Sequence, residues 1–355
     1  MSEQTLTINN LPAPTWNWLR MNDANVRVPA EKLTYIAGEE VPAGINKAVL
    51  DAAELSDVAS GFGPQAASVF EEVGEVVSYT TTGNIEAPIR LDYDFSEGAN
   101  CVNAVELHAP EGSSMLVIQN FHSEKNGFGF AGVSTKYDIA KNAKITLVQI
   151  QTLGDDMTFC NDIGGRCDEE GAFQLIQLVL GGKETYIGSN TALAGKRSDL
   201  QVNMAYIVAD NHVLDMNYVA DHTGKKTHCD IQAAGVLRNE AKKVFRGTID
   251  FKRGCAGATG SEIEDVLLMD DGVINQTIPL ILCSEEDVEG THGATIGKLN
   301  EDLLFYLESR GLALRDIYEM MARARVDAVC NLIPDEATRE WVMNYLGKEK
   351  EDEES

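Results

Sequence analysis

From about Glu75 to Leu282 the chain alternates apolar and polar residues with a period of two. Ile89, Leu91, Tyr93 and Phe95 show it, as do Leu200, Val202, Met204 and Tyr206, then Leu214, Met216, Tyr218 and Ala220, and again Phe245, Gly247, Ile249 and Phe251. Successive side chains of a strand leave opposite faces, so this pattern demands half-buried strands. The separators are turn formers: Gly154-Asp155-Asp156, Gly181-Gly182, Gly195, Asp210-Asn211, Asp221 and Gly224. Glycine (31) far outnumbers proline (9), which favours many turns over long helices. Many short strands without helical periods between them leave two architectures open. One is a sandwich or barrel, the other a β-helix whose coils stack on one another. The period alone does not choose.

The two ends read differently. Residues 1–74 form a mixed, partly helical preface, with a helix predicted from Gln65 to Val73. Leu11-Pro12-Ala13-Pro14-Thr15-Trp16-Asn17-Trp18-Leu19 sets two tryptophans beside prolines, a poor helix interior that packs on its own domain or docks in an apolar groove. The strand region is expected to span 75–297, and a helical unit 298–347. Asn300 is placed to cap the first of these helices, with Glu301 and Asp302 where the dipole favours negative charge. Leu303, Leu304 and Leu307 supply its apolar stripe, and Gly311 stops it. A second helix is predicted from Leu314 to Leu332 with Ile317, Met320, Met321 and Ala324 on one face. Pro334 ends it, Asp335 caps a third, and Trp341, Val342 and Tyr345 face inward there. Residues 348–355 read as an acidic disordered tail.

Charge and cysteine usage exclude several functions. With 29 basic and 56 acidic residues the formal charge is −27, a surface that repels phosphate backbones and anionic lipid, so neither nucleic acid nor membrane is an expected partner. No apolar run approaches the ~20 residues a spanning helix needs, and Met1 to Asn10 lacks the basic and apolar regions of a secretory signal. Seven scattered cysteines are no disulfide framework. A reduced, cytoplasmic location is expected.

Candidate chemistry is sparse. Gly254-Cys255-Ala256-Gly257-Ala258-Thr259-Gly260 has the glycines of a phosphate loop but lacks its lysine, and reads as a turn in the β core. Cys160 and Cys167 lie too far apart to imply a chelate. His222, His228 and Cys229 share a polar turn that chelates only if it folds back on itself. Isolated cysteines in a reduced protein are usually packed thiols. The pairs Asp155-Asp156 and Asp270-Asp271 admit the carboxylate chemistry of a carbohydrate-active β-helix enzyme, yet adjacent carboxylates on a strand point to opposite faces. His292 differs: it falls in a Gly/Thr-bounded turn between Ile278-Pro279-Leu280-Ile281-Leu282 and the first C-terminal helix, where an imidazole can ligate iron or carry a proton.

Thr291-His292-Gly293-Ala294-Thr295-Ile296-Gly297, followed by Leu304-Phe305-Tyr306-Leu307 and Ser309-Arg310-Gly311, resembles the C-terminal core signature of the SufB/SufD family of iron–sulfur cluster assembly proteins. The resemblance is strongest to its SufD side, and the tryptophan strip is similar to that of SufD proteins from clostridial-type bacteria. It implies a mainly β fold: a right-handed parallel β-helix core between an N-terminal mixed region and a C-terminal helical domain. It also implies a non-catalytic assembly subunit that pairs through its β-helix with a SufB-type subunit or with itself. The C-terminal helices would dock a SufC-type ATPase, which carries the nucleotide chemistry. Iron or a transient iron–sulfur cluster would be held at the subunit interface, where the family's matching histidine falls on His292. The stretch matching the SufB cysteine is Asp270-Asp271-Gly272-Val273-Ile274, with Val273 near that place. Many SufD proteins carry a cysteine two residues before the histidine, and this chain has Gly290. The usual Gln-x-Asn is Glu262-Ile263-Glu264. Cys283 and Cys255 are the nearby thiols that could substitute. The alternative within the family is a homodimeric minimal scaffold working with SufC alone.

Overall fold

The computed structural model describes residues 4–14, 19–29, 33–34, 38–70, 75–95 and 100–354. Trp16 and Trp18 lie outside the described residues, as do residues 71–73 of the helix predicted from Gln65 to Val73; its described part is α1, Pro64–Phe70. The alternating region forms a parallel β-solenoid of about 8 turns. This is the β-helix that the resemblance implies, and neither a sandwich nor a closed barrel.

Each turn places one strand in each of two sheets. Sheet I runs from its free edge, Ile274–Cys283, through Lys242–Phe251, Val213–His222, Glu184–Leu193, Asp156–Cys167, Phe128–Ile139 and Cys101–Ala109 to Val76–Thr81. Sheet II runs from Val288–Gly297 through Ala258–Leu268, His228–Leu237, Asp199–Val208, Ala172–Val179, Lys144–Thr152 and Ser114–His122 to Ile89–Asp94. The first turn is closed by antiparallel strands: Ile45–Leu50 covers Val76–Thr81, and Gly38–Glu40 covers Ile89–Asp94. The last turn has no such cover among the described residues.

Alternate side chains point into the space between the sheets and stack on the same position of the next turn. Tyr93 stacks on Phe121 at 5.1 Å, and Phe121 meets Phe159 of the opposite sheet at 4.9 Å with the rings tilted. Polar residues inside stack too. Gln119, Gln149 and Gln177 are in register, with Gln149 Nε2 donating to Gln119 Oε1 at 2.7 Å and Gln177 Nε2 to Gln149 Oε1 at 2.7 Å. Each amide satisfies the next, which is what makes buried amides tolerable.

One corner of the coil repeats a second device. Gly112, Asn142, Glu170, Arg197, Lys226 and Gly257 all have positive φ. The backbone N–H of each donates across to the following turn, as from Asn142 to the Glu169 carbonyl at 2.9 Å and from Arg197 to that of Lys225 at 2.9 Å. A left-handed conformation costs about 1–2 kcal/mol in a non-glycine residue; here it aligns a hydrogen bond between turns.

The N-terminal hairpin, Gln4–Ile8 with Ala24–Val28, packs with α1 on the outer face of sheet I. Buried Arg246 holds it there, donating to the Met21 carbonyl at 2.7 Å and to Asp215 Oδ1 at 2.6 Å. The C-terminal helices are α2 (Glu301–Ser309), α3 (Leu314–Cys330) and α4 (Glu336–Glu354). Val326, Val329, Cys330 and Ile333 of the α3 region, with Val342 of α4, cover the outer face of sheet II at Leu116, Ile118, Val148, Ile150, Ile176 and Leu178. Ile317 is buried as predicted, but Met320 is 48% exposed and Ala324 is also exposed. The stripe that the helix buries runs instead through Ala322, Val326 and Val329, set by the slope of the sheet beneath it. α4 runs into the stretch 348–354 that the charge run marks as disordered; Glu and Lys are good helix formers. Among the described residues, no helix is long and apolar enough to cross a membrane.

Candidate functional site at the open end of the solenoid

The last turn is where the fold leaves work undone. Among the described residues, Val288–Gly297 makes a backbone ladder only with Ala258–Leu268, and Ile274–Cys283 only with Lys242–Phe251. Nearly every residue of the final strand is exposed, and Ile274 and Ile296 stand 49% and 42% in solvent. A sheet edge with free N–H and C=O groups is a template for another chain, and native proteins blunt it unless it is used. The edge of sheet I is partly blunted, because Pro279 removes one donor. Val288–Gly297 contains no proline and a single charged residue, Glu289.

His292 lies in the middle of that final strand, not in a turn. The parallel ladder with Ala258–Leu268 extends through Thr291-His292-Gly293 and pairs His292 with Glu262. Glycines usually mark a turn, but the ladder uses backbone groups that they possess, and at Gly290 the strand needs one. A Cβ there would sit 2.9 Å from Phe251 and 3.2 Å from Ile281. In-register residues share a face, so His292 extends the inward-facing row of buried Glu262 and is its first solvent-accessible member.

Beneath His292 is a buried charged cluster. Lys243 Nζ donates to Glu264 Oε1 at 2.5 Å and to Thr277 Oγ1 at 3.1 Å. Thr277 Oγ1 donates to Glu264 Oε2 at 2.6 Å, and Tyr206 Oη to Glu264 Oε1 at 3.0 Å. Glu264 thereby accepts from three donors. Glu262 has no such help: it is 2% exposed, and its Oε2 has no hydrogen-bond partner. Burial, and then the neighbouring Glu264 charge, push its carboxyl up to about 8. Its carboxylate occupies space that any side chain at Gly247 would fill, since a Cβ there would come within 2.2 Å of it. Near neutral pH Glu262 therefore keeps its proton, beside a Glu264 that is paired with Lys243.

The thiols take different positions. Cys283 ends the last strand of sheet I, exposed, with its Sγ donating to the Glu285 carbonyl at 3.0 Å. Cys255 is buried in the preceding corner, and burial, with Glu285 next, raises its thiol. No group of three metal-ligating side chains among the described residues includes His292, Cys283 or Cys255. Cys160 and Cys167 are both buried on one strand, Cys160 beneath the N-terminal hairpin and Cys167 in the solenoid interior. Burial raises both thiols. His222 and Cys229 do meet: His222 Nε2 lies 3.2 Å from Cys229 Sγ, and its Nδ1 2.7 Å from Thr227 Oγ1. Burial lowers His222 to about 4 and raises Cys229 to about 12, so both are neutral and each is satisfied. This is a packed interior pair.

Beside the open end, α2 begins where the sequence places it. Asn300 Oδ1 accepts from the N–H groups of Asp302 at 2.8 Å and Leu303 at 3.3 Å, and Gly311 has φ +92° just past the end. The helix has no buried residue; Phe305 is 75% exposed and Tyr306 53%.

A profile described as SUF system FeS cluster assembly, SufBD core domain, matches residues 94–325, which take in most of the solenoid, the open turn, α2 and most of α3. The chain belongs to the SufB/SufD family. It is 24% identical over 245 residues to the iron-sulfur cluster assembly protein SufD of Escherichia coli, covering 68% of this chain and 57% of that protein. It is 20% identical over 265 residues to SufD of Bacillus subtilis, covering 74% and 61%. An iron-sulfur cluster assembly SufBD family protein of Mycobacterium leprae is 25% identical over 198 residues, 56% of this chain and 23% of that one. The chain thus spans about three-fifths of the two SufD proteins. Within the family it is SufD-like, and the tight packing at Gly290 accounts for the missing cysteine: a thiol there has no room beside Phe251.

Proposed function

We propose that this chain is the SufD-like subunit of a SufB–SufC–SufD-type complex, and that it supports cluster assembly on a SufB-type partner without a catalytic step of its own. The observation that carries this reading is the uncovered last turn, with His292 in line with the interior row on its unblunted edge. A partner strand added along Val288–Gly297 would complete the backbone ladder and close His292 into a junction between two subunits. There the imidazole is suited to hold iron as cargo or to shuttle a proton while thiolates come from the other chain. The exposed apolar row of α2 is the counterpart for a SufC-type ATPase, whose ATP-driven movement would lever the paired solenoids apart.

The exposed Cys283 on the same turn favours a second reading, in which two copies of the chain pair and serve as a minimal scaffold with SufC alone. Ala294→Pro separates edge pairing from other modes of association, because it removes a donor from the free edge. Co-expressed with a SufB homologue, the wild-type chain is expected to form a stoichiometric complex and A294P to elute alone with its own fold retained by circular dichroism. An A294P chain that still bound SufB would overturn pairing through this edge.

A further inference from the structure

The solenoid carries a second cluster of ligating groups near the opposite end from His292, on the strand Cys101–Ala109. Residues 51–62 cross the outer face of sheet I as a strap and are fastened turn by turn. Leu55 N–H donates to Glu106 Oε1 at 2.8 Å, Gly61 N–H to the Ile163 carbonyl at 3.0 Å, and Phe62 N–H to Asp162 Oδ1 at 2.9 Å. Glu106 and His108 are two apart on the strand Cys101–Ala109 and so share that outer face. Glu106 is 1% exposed, yet its Oε2 has no hydrogen-bond partner, and neither has the buried Nε2 of His108. The two atoms face each other at 3.6 Å. Glu54, on the strap, brings a carboxylate oxygen to 4.0 Å from the same nitrogen.

These separations are too long for hydrogen bonds, which close at about 2.7–3.2 Å. They approach the roughly 3.4 Å between two donors that share one ion at about 2.1 Å in tetrahedral geometry. All three ligand atoms lie within 4.8 Å of one another, and no other such group of three occurs among the described residues. Lys136, in register with Glu106, turns its ammonium to the Leu55 carbonyl at 2.9 Å, and Asp138, in register with His108, is held by Arg166 at 2.8 Å.

We propose that Glu54, Glu106 and His108 form a binding site for a divalent first-row metal ion that clamps the strap onto the solenoid. An imidazole with two carboxylates selects zinc, cobalt, manganese or ferrous iron over calcium or magnesium. Two ligands come from one rung and the third from the strap, so the ion completes the unpartnered Glu106 oxygen and cross-links segments about 50 residues apart. An ion that binds only the folded chain raises its stability by mass action.

The test uses the full chain stripped of metal with a chelator and titrated with Co2+, followed by visible absorption, with melting recorded in Zn2+. The expected result is one saturable equivalent of Co2+ without a thiolate charge-transfer band, and a Tm raised by Zn2+ and restored by chelator. Glu54→Gln, at a side chain 63% exposed, is expected to leave the metal-free Tm unchanged and weaken Co2+ binding by about tenfold or more. His108→Gln should do the same to the affinity. The double variant His292→Ala/Cys283→Ser should titrate like wild type. The absence of saturable binding would overturn the proposal, as would binding that survives both Glu54→Gln and His108→Gln. Loss of binding in the His292/Cys283 variant would move the metal to the open end, a result that leaves the subunit-pairing reading untouched.

Discussion

Glu262 and Glu264 sit two residues apart on one strand and carry opposite fates, because the surrounding donors all converge on Glu264. Glu262 is left to desolvation, and its carboxyl rises to about 8. The linkage has a definite sign. The folded chain keeps a proton on Glu262 that the unfolded chain loses near pH 4.5, so this group's contribution to stability is complete below about 4.5 and falls away as pH rises through about 8. Glu262→Gln restores the amide that the family usually has here and removes that slope. The variant is expected to be more stable than wild type at pH 8–9 by on the order of 1–3 kcal/mol, with little gain at pH 5. Parallel Tm-against-pH curves for the two chains would show that Glu262 is already satisfied. This pair was legible only as a departure from a family pattern. Nothing local in Glu262-Ile263-Glu264 says that Lys243, Thr277 and Tyr206 arrive from three other strands.

At the scale of elements, local chemistry was readable and stacking was not. The Asn300 cap and the Gly311 stop are decided within a few residues, and both stand as the sequence indicates. The corner residues Glu170, Arg197 and Lys226 gave no such sign, since their left-handed backbone is imposed by the next turn. Lys226→Gly should therefore raise stability by about 0.5–1 kcal/mol, the left-handed cost relieved less the extra freedom of glycine when unfolded. A fall in the denaturation midpoint would mean that the lysine side chain contributes more than its backbone costs. The alternation could not distinguish a sandwich from a solenoid because both use half-buried strands. The signal that does is the recurrence of interior glutamines, Gln119, Gln149 and Gln177, spaced 30 and then 28 residues apart, which is one coil. On α2, Phe305→Ala removes a side chain that is 75% exposed. It is expected to leave the unfolding free energy within about 0.5 kcal/mol while weakening binding of a SufC-type ATPase by about tenfold or more. Unchanged affinity would place the ATPase elsewhere.

For the whole molecule, the asymmetry of the two ends decides the reading. The first turn is sealed by antiparallel strands and the outer faces by the N-terminal hairpin and the C-terminal helices, whereas the strand edges of the last turn are uncovered among the described residues, although Leu11 and Met21 pack on the outer face of Ile278. His292 was found by its motif, although its place in a strand rather than a turn was hidden by the glycines around it. The strap site was invisible to sequence because Glu54 joins Glu106 and His108 only when the chain folds back across sheet I. The central claim, that the open turn with His292 completes a cluster-assembling interface, is tested most directly by one measurement. The tagged chain, wild type or His292→Ala, is co-purified anaerobically with SufB and SufC homologues, and iron and sulfide are determined per complex. The account predicts stoichiometric complexes in both cases, with iron and sulfide present in wild type and sharply reduced in H292A. Equal iron and sulfide in the two complexes, or a wild-type chain that takes up cluster with SufC alone, would contradict it.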